Sequence, residues 1–429
     1  MTEREPSILF DRSRCVGCVA CSQICPTKAI RVRDGCAVVK PELCIDCDAC
    51  IRVCRYDAVR ARLSSPADLE RFQYKVAIPS MTLYAQYGRD VHPSQVLHAL
   101  TRLGFDRAYD MSWMCEMVAA ASDAWLSEAQ RPWPKISVTC PAIVRLIQVR
   151  YPDMIENLVP IETPRELAAK VLRRRLVSEL GLPPEDIGIF SITSCTAIMN
   201  SIVAPVGLEQ SYLDGAFAIS EMHGPVLKQI KAGGAEERDD QISRAGLMWA
   251  RAGGELLGMR NLNTMSVHGL RDVKYVFDHL EAGKFQSVDL IEAYICPDGC
   301  LSGGLTVEGR YAAGRNLQHV ARRIGTQSLV KEEKVRSLLR EHFFDLEEEI
   351  KARAVRPLPQ DLRKAIALER ERQDLLARLP KKDCAACGAP DCATLAEDAL
   401  RGEASIDDCV FLKLARWESA ARQEGEGPK

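Results

Sequence analysis

Apolar positions along this chain recur with two different periods. Short runs rich in β-branched and aromatic residues, KISVTC, DIGIFSITSC and SVDLIEAYIC, read as strands that end at residues 140, 195 and 296. Between them, PAIVRLIQVRYP and PRELAAKVLRRRLVSELG carry apolar residues at helical spacing, the first with Pro141 in its opening turn. Strands alternating with helices predict an α/β domain over residues 71–330, its parallel-type sheets flanked by helices. Before it, AIRVRDG and AVVKPEL predict two short strands of a small α+β module in residues 1–70. After it, KEEKVRSLLREHFFDLEEEIKARAV and DLRKAIALERERQDLLARL, separated by Pro357 and Pro359, predict two charged helices that form a solvated spacer or docking surface over 331–380. Residues 381–429 are left as a final small domain.

Composition narrows the function classes. The chain has 429 residues, 47% hydrophobic, and a formal net charge of -2 with no block of Lys or Arg, so neither nucleic acid nor an anionic membrane is an expected partner. No run of ~18 apolar residues occurs, and the first residues lack a basic stretch followed by an apolar core, which predicts a cytoplasmic protein without membrane insertion. Cysteine changes the picture. There are 18, and in a reducing compartment clustered cysteines mean metal or catalysis in preference to disulfides.

Twelve of them fall into local sets. CVGCVACSQICP supplies Cys15, Cys18, Cys21 and Cys25, and CIDCDACIRVC repeats the spacing with Cys44, Cys47, Cys50 and Cys54. In such a repeat three close cysteines wrap one 4Fe-4S cluster and the fourth reaches its neighbour. One cluster is therefore expected on Cys15, Cys18, Cys21 and Cys54, the other on Cys44, Cys47, Cys50 and Cys25, as in a bacterial-type ferredoxin module. Arg55 stands where a proline would follow Cys54, a departure that removes no ligand. Near the other end Cys384, Cys387, Cys392 and Cys409 suit one more cluster. A zinc knot uses the same ligand chemistry, but the spacing resembles a small 4Fe-4S domain of several redox complexes, including those of the Rnf type. Cys36, in a turn, and Cys115, in helical MSWMCEMVAAA, are expected to be packing residues.

Cys140, Cys195, Cys296 and Cys300 remain, too dispersed for spacing to join them. Three of them close predicted strands, and CPDGCLSGG brings the fourth round a sharp turn through Gly299, Gly303 and Gly304. Ligands bind outside the carboxyl ends of parallel strands, so these thiols form a candidate ligand set, with ordinary buried cysteines as the alternative.

The segments TCPAIV, SCTAI and EAYICPDGCLSGG, in that order, resemble the three active-site motifs of iron-only (FeFe) hydrogenases. The similarity spans roughly residues 74 to 325, and the arrangement of flanking cysteine modules is most similar to the sensory branch. The resemblance implies that Cys140, Cys195, Cys296 and Cys300 hold a fourth 4Fe-4S cluster, with Cys300 also bridging to a two-iron subsite carrying carbon monoxide and cyanide. The pattern departs from the family around that subsite. Thr139 replaces a proton-carrying cysteine and Ile198 a lysine that donates to cyanide, while Ser194 replaces proline, Ser201 glutamate and Tyr294 methionine. An ammonium group offers three donors and a charge, and isoleucine offers neither, so an anionic ligand facing it would be desolvated without a partner. Tyr294 is expected to be a packed aromatic at a strand end. Glu292 and Thr139 are the candidates for proton handling, Glu292 having a solvated strand position as its alternative.

Four 4Fe-4S clusters are thus expected, with the diiron subsite left as an alternative. The seven histidines, His92, His223 and His268 among them, show no ligand spacing, and no G-x-G-x-x-G or Walker signature points to a nucleotide or flavin. Electrons are expected to pass to or from a redox protein or oxidoreductase subunit. The leading expectation is an electron carrier or sensor of redox state or hydrogen with low or absent turnover; a slow hydrogenase and a zinc-binding scaffold are the alternatives.

Overall fold

Seven consecutive buried residues, Ile187–Thr193, form the inner strand of a four-stranded parallel sheet. A strand covered on both faces needs such a continuous apolar run. Tyr74–Pro79 pairs with it on one side and Gly215–Ala218 on the other, and Arg107–Ala108 adds the outer edge. Phe190 anchors the covering layer, its ring centroid 5.6 Å from both Phe72 and Phe217. A second parallel sheet has Leu290–Tyr294 between Thr264–His268 and the two-residue strand Lys135–Ile136. The computed structural model describes residues 5–128, 132–234, 242–259, 262–326, 328–353, 355–357 and 359–425.

Helices form where the sequence predicts them. Pro141–Arg150 and Pro164–Leu180 each begin with proline, whose missing N–H is no loss in a first turn, and Gly181 ends the second in the left-handed conformation. KISVTC is strand only at Lys135–Ile136, the rest bending towards Cys140.

The chain divides into two compact units. The larger comprises Ile45–Asp48 and Arg62–Arg353 and holds both parallel sheets. Here the charged stretch after residue 330 differs from its helical pattern. Its first helix covers only Glu332–Arg340, His342 is left-handed at φ 55°, and Phe344 is fully buried. The Phe344 carbonyl accepts from the Glu162 N–H at 2.7 Å, so apolar burial of FFDL overrides the charged helical pattern. The second predicted helix is present as Leu362–Ala377, capped by Asp361.

The smaller unit joins residues 1–44 and 49–61 to 354–429. Ile30–Arg33 and Cys36–Val39 form the expected hairpin, and Ile8–Phe10 pairs antiparallel with Val59–Ala61. The C-terminal cysteine domain docks on this hairpin through the Val32 N–H, which donates to the Gly388 carbonyl at 2.8 Å. Gly388 is left-handed at φ 84°, and a Cβ there would meet the Val32 oxygen at 1.9 Å. Below the contact Arg31 and Asp398 form a bidentate pair with 4% and 1% side-chain exposure. Lys40 at 3.5 Å and Arg356 at 3.2 Å complete the charges around Asp398.

Candidate functional site

The strand ends deliver their cysteines to one place. Cys140 follows Lys135–Ile136, Cys195 follows Ile187–Thr193, and Cys296 follows Leu290–Tyr294. With Cys300, on the turn Gly299–Ser302, they line a single cavity of about 100 Å³. By the same measure one water needs only ~10–15 Å³, so the space suits a group of several atoms. Gly303 makes the closure possible, since a Cβ on it would stand 2.3 Å from the Ser194 carbonyl oxygen. Cys47, from the second ferredoxin-type repeat, lines the same cavity.

The surroundings fit an anionic iron–sulfur group. Cys140 and Cys195 are the N-cap residues of Pro141–Arg150 and Thr196–Val203, and the opening residues of both helices line the cavity. Pro164 and Arg165, opening a third helix, do so as well. Helix N-termini present unpaired N–H groups and positive potential, which favour anions. Backbone N–H groups of Ile295, Ile143 and Ala142 lower the Cys140 thiol against the effect of burial. Burial pushes the thiols of Cys140, Cys195 and Cys300 up, and the neighbouring cysteines add to the rise in Cys195 and Cys300. Thiols buried and crowded in this way resist losing their protons alone and release them to a cation that binds them together.

Each subsite candidate has a definite place. Thr139, Ser194, Ile198 and Tyr294 all line the cavity. Tyr294 is packed as expected, 1% exposed, its hydroxyl donating to the Trp249 carbonyl at 3.2 Å. Ser201 instead lines a neighbouring small cavity with Glu162 and Arg165, and its hydroxyl donates to the Ile198 carbonyl. Glu292 is not solvated: it is 1% exposed and accepts from the Glu255 N–H at 3.0 Å, the Ser266 hydroxyl at 2.6 Å and the Gly253 N–H. Burial holds its carboxyl above the ordinary range.

Glu255 has no motif in the sequence, and structure alone reveals it. Its carboxylate accepts from Ser137 at 2.8 Å and from the Thr139 hydroxyl at 3.2 Å. Burial, with the Glu292 charge beside it, pushes Glu255 up to about 8. Buried acids near neutrality suit proton exchange, and a glutamate inside the small-residue run RAGGELLG was the available signal.

The first ferredoxin-type set is also brought together. Cys15, Cys18, Cys21 and Cys54 line one pocket in the smaller unit. The Ala37 and Ala58 N–H groups donate to the Cys15 and Cys54 sulfurs, each at 3.3 Å, and Ala29 donates to Cys25 at 3.2 Å. Cys44, Cys50 and Cys25 sit in the core beneath it. Cys387, Cys392 and Cys409 share the small C-terminal core, while Cys384 is exposed. Among the described residues no three Cys, His, Asp or Glu side chains gather as they would around one metal ion. Cys36 is buried with its thiol donating to the Ala37 carbonyl at 3.6 Å, and buried Cys115 forms part of the central cavity wall. His92 caps a helix, His223 stacks on Tyr87 at 5.0 Å, and His268 accepts from the Asp298 N–H at 3.1 Å.

Comparison with known proteins agrees with this geometry. The family model for the iron only hydrogenase large subunit, C-terminal domain, matches residues 74–204 and 215–304. A 4Fe-4S dicluster domain matches 7–55, and an Fe-S cluster domain matches 379–411. Iron hydrogenase 1 of Clostridium pasteurianum is 23% identical over 70% of this chain and 65% of its own length. The periplasmic iron hydrogenase large subunit of Nitratidesulfovibrio vulgaris is 24% identical over 69% of this chain and 85% of its own. The NADP-reducing hydrogenase subunit HndD of Solidesulfovibrio fructosivorans is 20% identical over 48% and 44%. The chain thus spans less than two thirds of two of these relatives. A variant of the FeFe-hydrogenase HydA1 from Chlamydomonas reinhardtii shares the fold, with TM-score 0.52 at 15% identity over 67% of this chain and 98% of that one. With a family model covering the strands, turns and cysteines that build the central cavity, this chain belongs to the iron-only hydrogenase large-subunit family and carries iron–sulfur cluster domains on both sides of the family domain.

Proposed function

We propose that the chain is a multi-cluster redox protein that carries electrons, or senses redox state or hydrogen, with hydrogen turnover low or absent. Four 4Fe-4S clusters are assigned to the four cysteine sets: Cys15, Cys18, Cys21 and Cys54; Cys44, Cys47, Cys50 and Cys25; Cys140, Cys195, Cys296 and Cys300; and Cys384, Cys387, Cys392 and Cys409. The observation that carries the reading is the cavity itself. Its four central thiols line one space, which supports an iron–sulfur site there, while Ile198 and Thr139 line the same cavity without the amine and thiol a diiron subsite draws on. When bound, the clusters supply one-electron chemistry. The chain's own residues bury them, orient the thiols, and fix a path within the smaller unit. There Arg33 donates to the Cys387 carbonyl at 2.9 Å, and the adjacent Val32 lines the pocket of Cys15, Cys18, Cys21 and Cys54. This peptide contact supports electron passage between the C-terminal site and that pocket.

Iron and acid-labile sulfide near sixteen each per chain support the assignment, and zinc in their place would reject it. Infrared spectra after maturation test the remainder: cyanide and carbonyl bands that change with hydrogen would reject low or absent turnover. The contact from Thr139 to Glu255 favours a second reading, a slow hydrogenase, because it gives the cavity a buried acid for proton exchange. No helix among the described residues is long and apolar enough to cross a membrane. A redox protein or oxidoreductase subunit in the cytoplasm is the proposed partner.

A further inference from the structure

Arg165 is the single cationic side chain among the described residues that line the central cavity. It opens the helix Pro164–Leu180, and its guanidinium donates to the Thr139 carbonyl at 3.3 Å. Its Nε is buried with no hydrogen-bond partner, and among the described residues no carboxylate forms an ion pair with it.

Two acids stand near this charge without a salt bridge to it: Glu162 and Glu166 line a small neighbouring cavity with Arg165, and its charge lowers both carboxyls against burial. Glu162 accepts from the Thr163 N–H at 2.6 Å and hydroxyl at 2.9 Å, and Glu166 accepts from Ser211 and the Tyr212 N–H. Both are buried, and burial raises both carboxyls, Glu162 to about 7. Arg165 also shares the lining of the central cavity with Cys140 and Cys300. A buried, incompletely bonded guanidinium beside thiol ligands marks a place where an anion completes the pairing.

We propose that Arg165 is the positioning cation of the central site, holding the anionic iron–sulfur group from the cavity wall and making it easier to reduce, where Ile198 supplies no donor. This rests on the reading that Cys140, Cys195, Cys296 and Cys300 bind a cluster. Guanidinium and ammonium both carry the charge, but only the first offers a planar fork of five donors.

The test uses the full chain, reconstituted anaerobically with iron and sulfide and titrated electrochemically with EPR detection. The central signal is the one lost in Cys195→Ser. If Cys195→Ser lowers neither iron nor any signal, the cluster assignment fails, separately from the role of Arg165. Given a central signal, Arg165→Gln should disfavour its reduced state at least tenfold, about 59 mV for one electron, while Arg165→Lys stays within threefold of the wild type. Loss of the central cluster in Arg165→Gln with its retention in Arg165→Lys would equally support the assignment. An unchanged potential in Arg165→Gln, or loss of the cluster in both variants, would overturn it.

Discussion

Replacing Glu255 with glutamine should abolish a large part of the pH dependence of stability in the larger unit. Burial and the nearby Glu292 raise Glu255 from 4.5 to about 8, so the folded chain keeps this carboxyl protonated at pH values where the unfolded chain has released the proton. A carboxyl raised by folding contributes its full stability below pH 4.5 and loses it as pH climbs towards 8. At 1.36 kcal/mol per pH unit, that interval corresponds to at most about 5 kcal/mol, shared with Glu292 because the two acids titrate as a pair. Half of this, at roughly 2 °C per kcal/mol for a unit of this size, is about 5 °C in Tm. Thermal unfolding followed by tryptophan fluorescence from pH 5 to 9 measures it. Glu255→Gln retains a side-chain oxygen for Ser137 and Thr139 but cannot ionise. Its Tm should match the wild type near pH 5 and exceed it by about 5 °C at pH 8.5. Parallel profiles across the range would show that the carboxyl is not held protonated, and the electrostatic account of this cavity would fail.

Asp398→Asn leaves the buried Arg31 guanidinium without its anion and should destabilise the smaller unit by about 3–5 kcal/mol, read from the denaturant midpoint and from earlier proteolysis of the C-terminal segment. Gly303→Ala places a methyl 2.3 Å from the Ser194 carbonyl oxygen, so this variant should bind about four fewer irons per chain while the flanking clusters remain visible by EPR. Ile198→Lys adds a donor to the cavity wall and should allow carbonyl and cyanide infrared bands after maturation; a matured variant without them would show that position 198 is not what limits the subsite.

The cysteine modules were legible because their ligands are neighbours in sequence, and local spacing carries the chemistry. The central four were legible only through context: three lie at strand ends, and parallel strands present their carboxyl ends on one side. Glu255 and Arg165 escaped because each acts through contacts across the fold. Glu255 reaches Thr139, 116 residues away in the chain, and Arg165 reaches the same residue across 26. The first charged helix after residue 330 is shorter than its pattern because periodicity gives no weight to two adjacent phenylalanines, of which Phe344 is fully buried. For Glu292 the sequence leaves a proton carrier and a solvated strand residue both open, because nothing local says which face of a sheet is closed.

The pairing of Arg31 with Asp398 also bears on the order of assembly, because the two residues are separated by 367 positions. During synthesis Arg31 emerges early, and its partner follows only after residues 62–353 of the other unit have been made. Closing so long a loop carries an entropic cost and favours late formation of the contact. Refolding experiments should therefore find the larger unit native while the smaller one is still open. That interval leaves the hairpin of Ile30–Arg33 and Cys36–Val39 uncovered by the C-terminal domain.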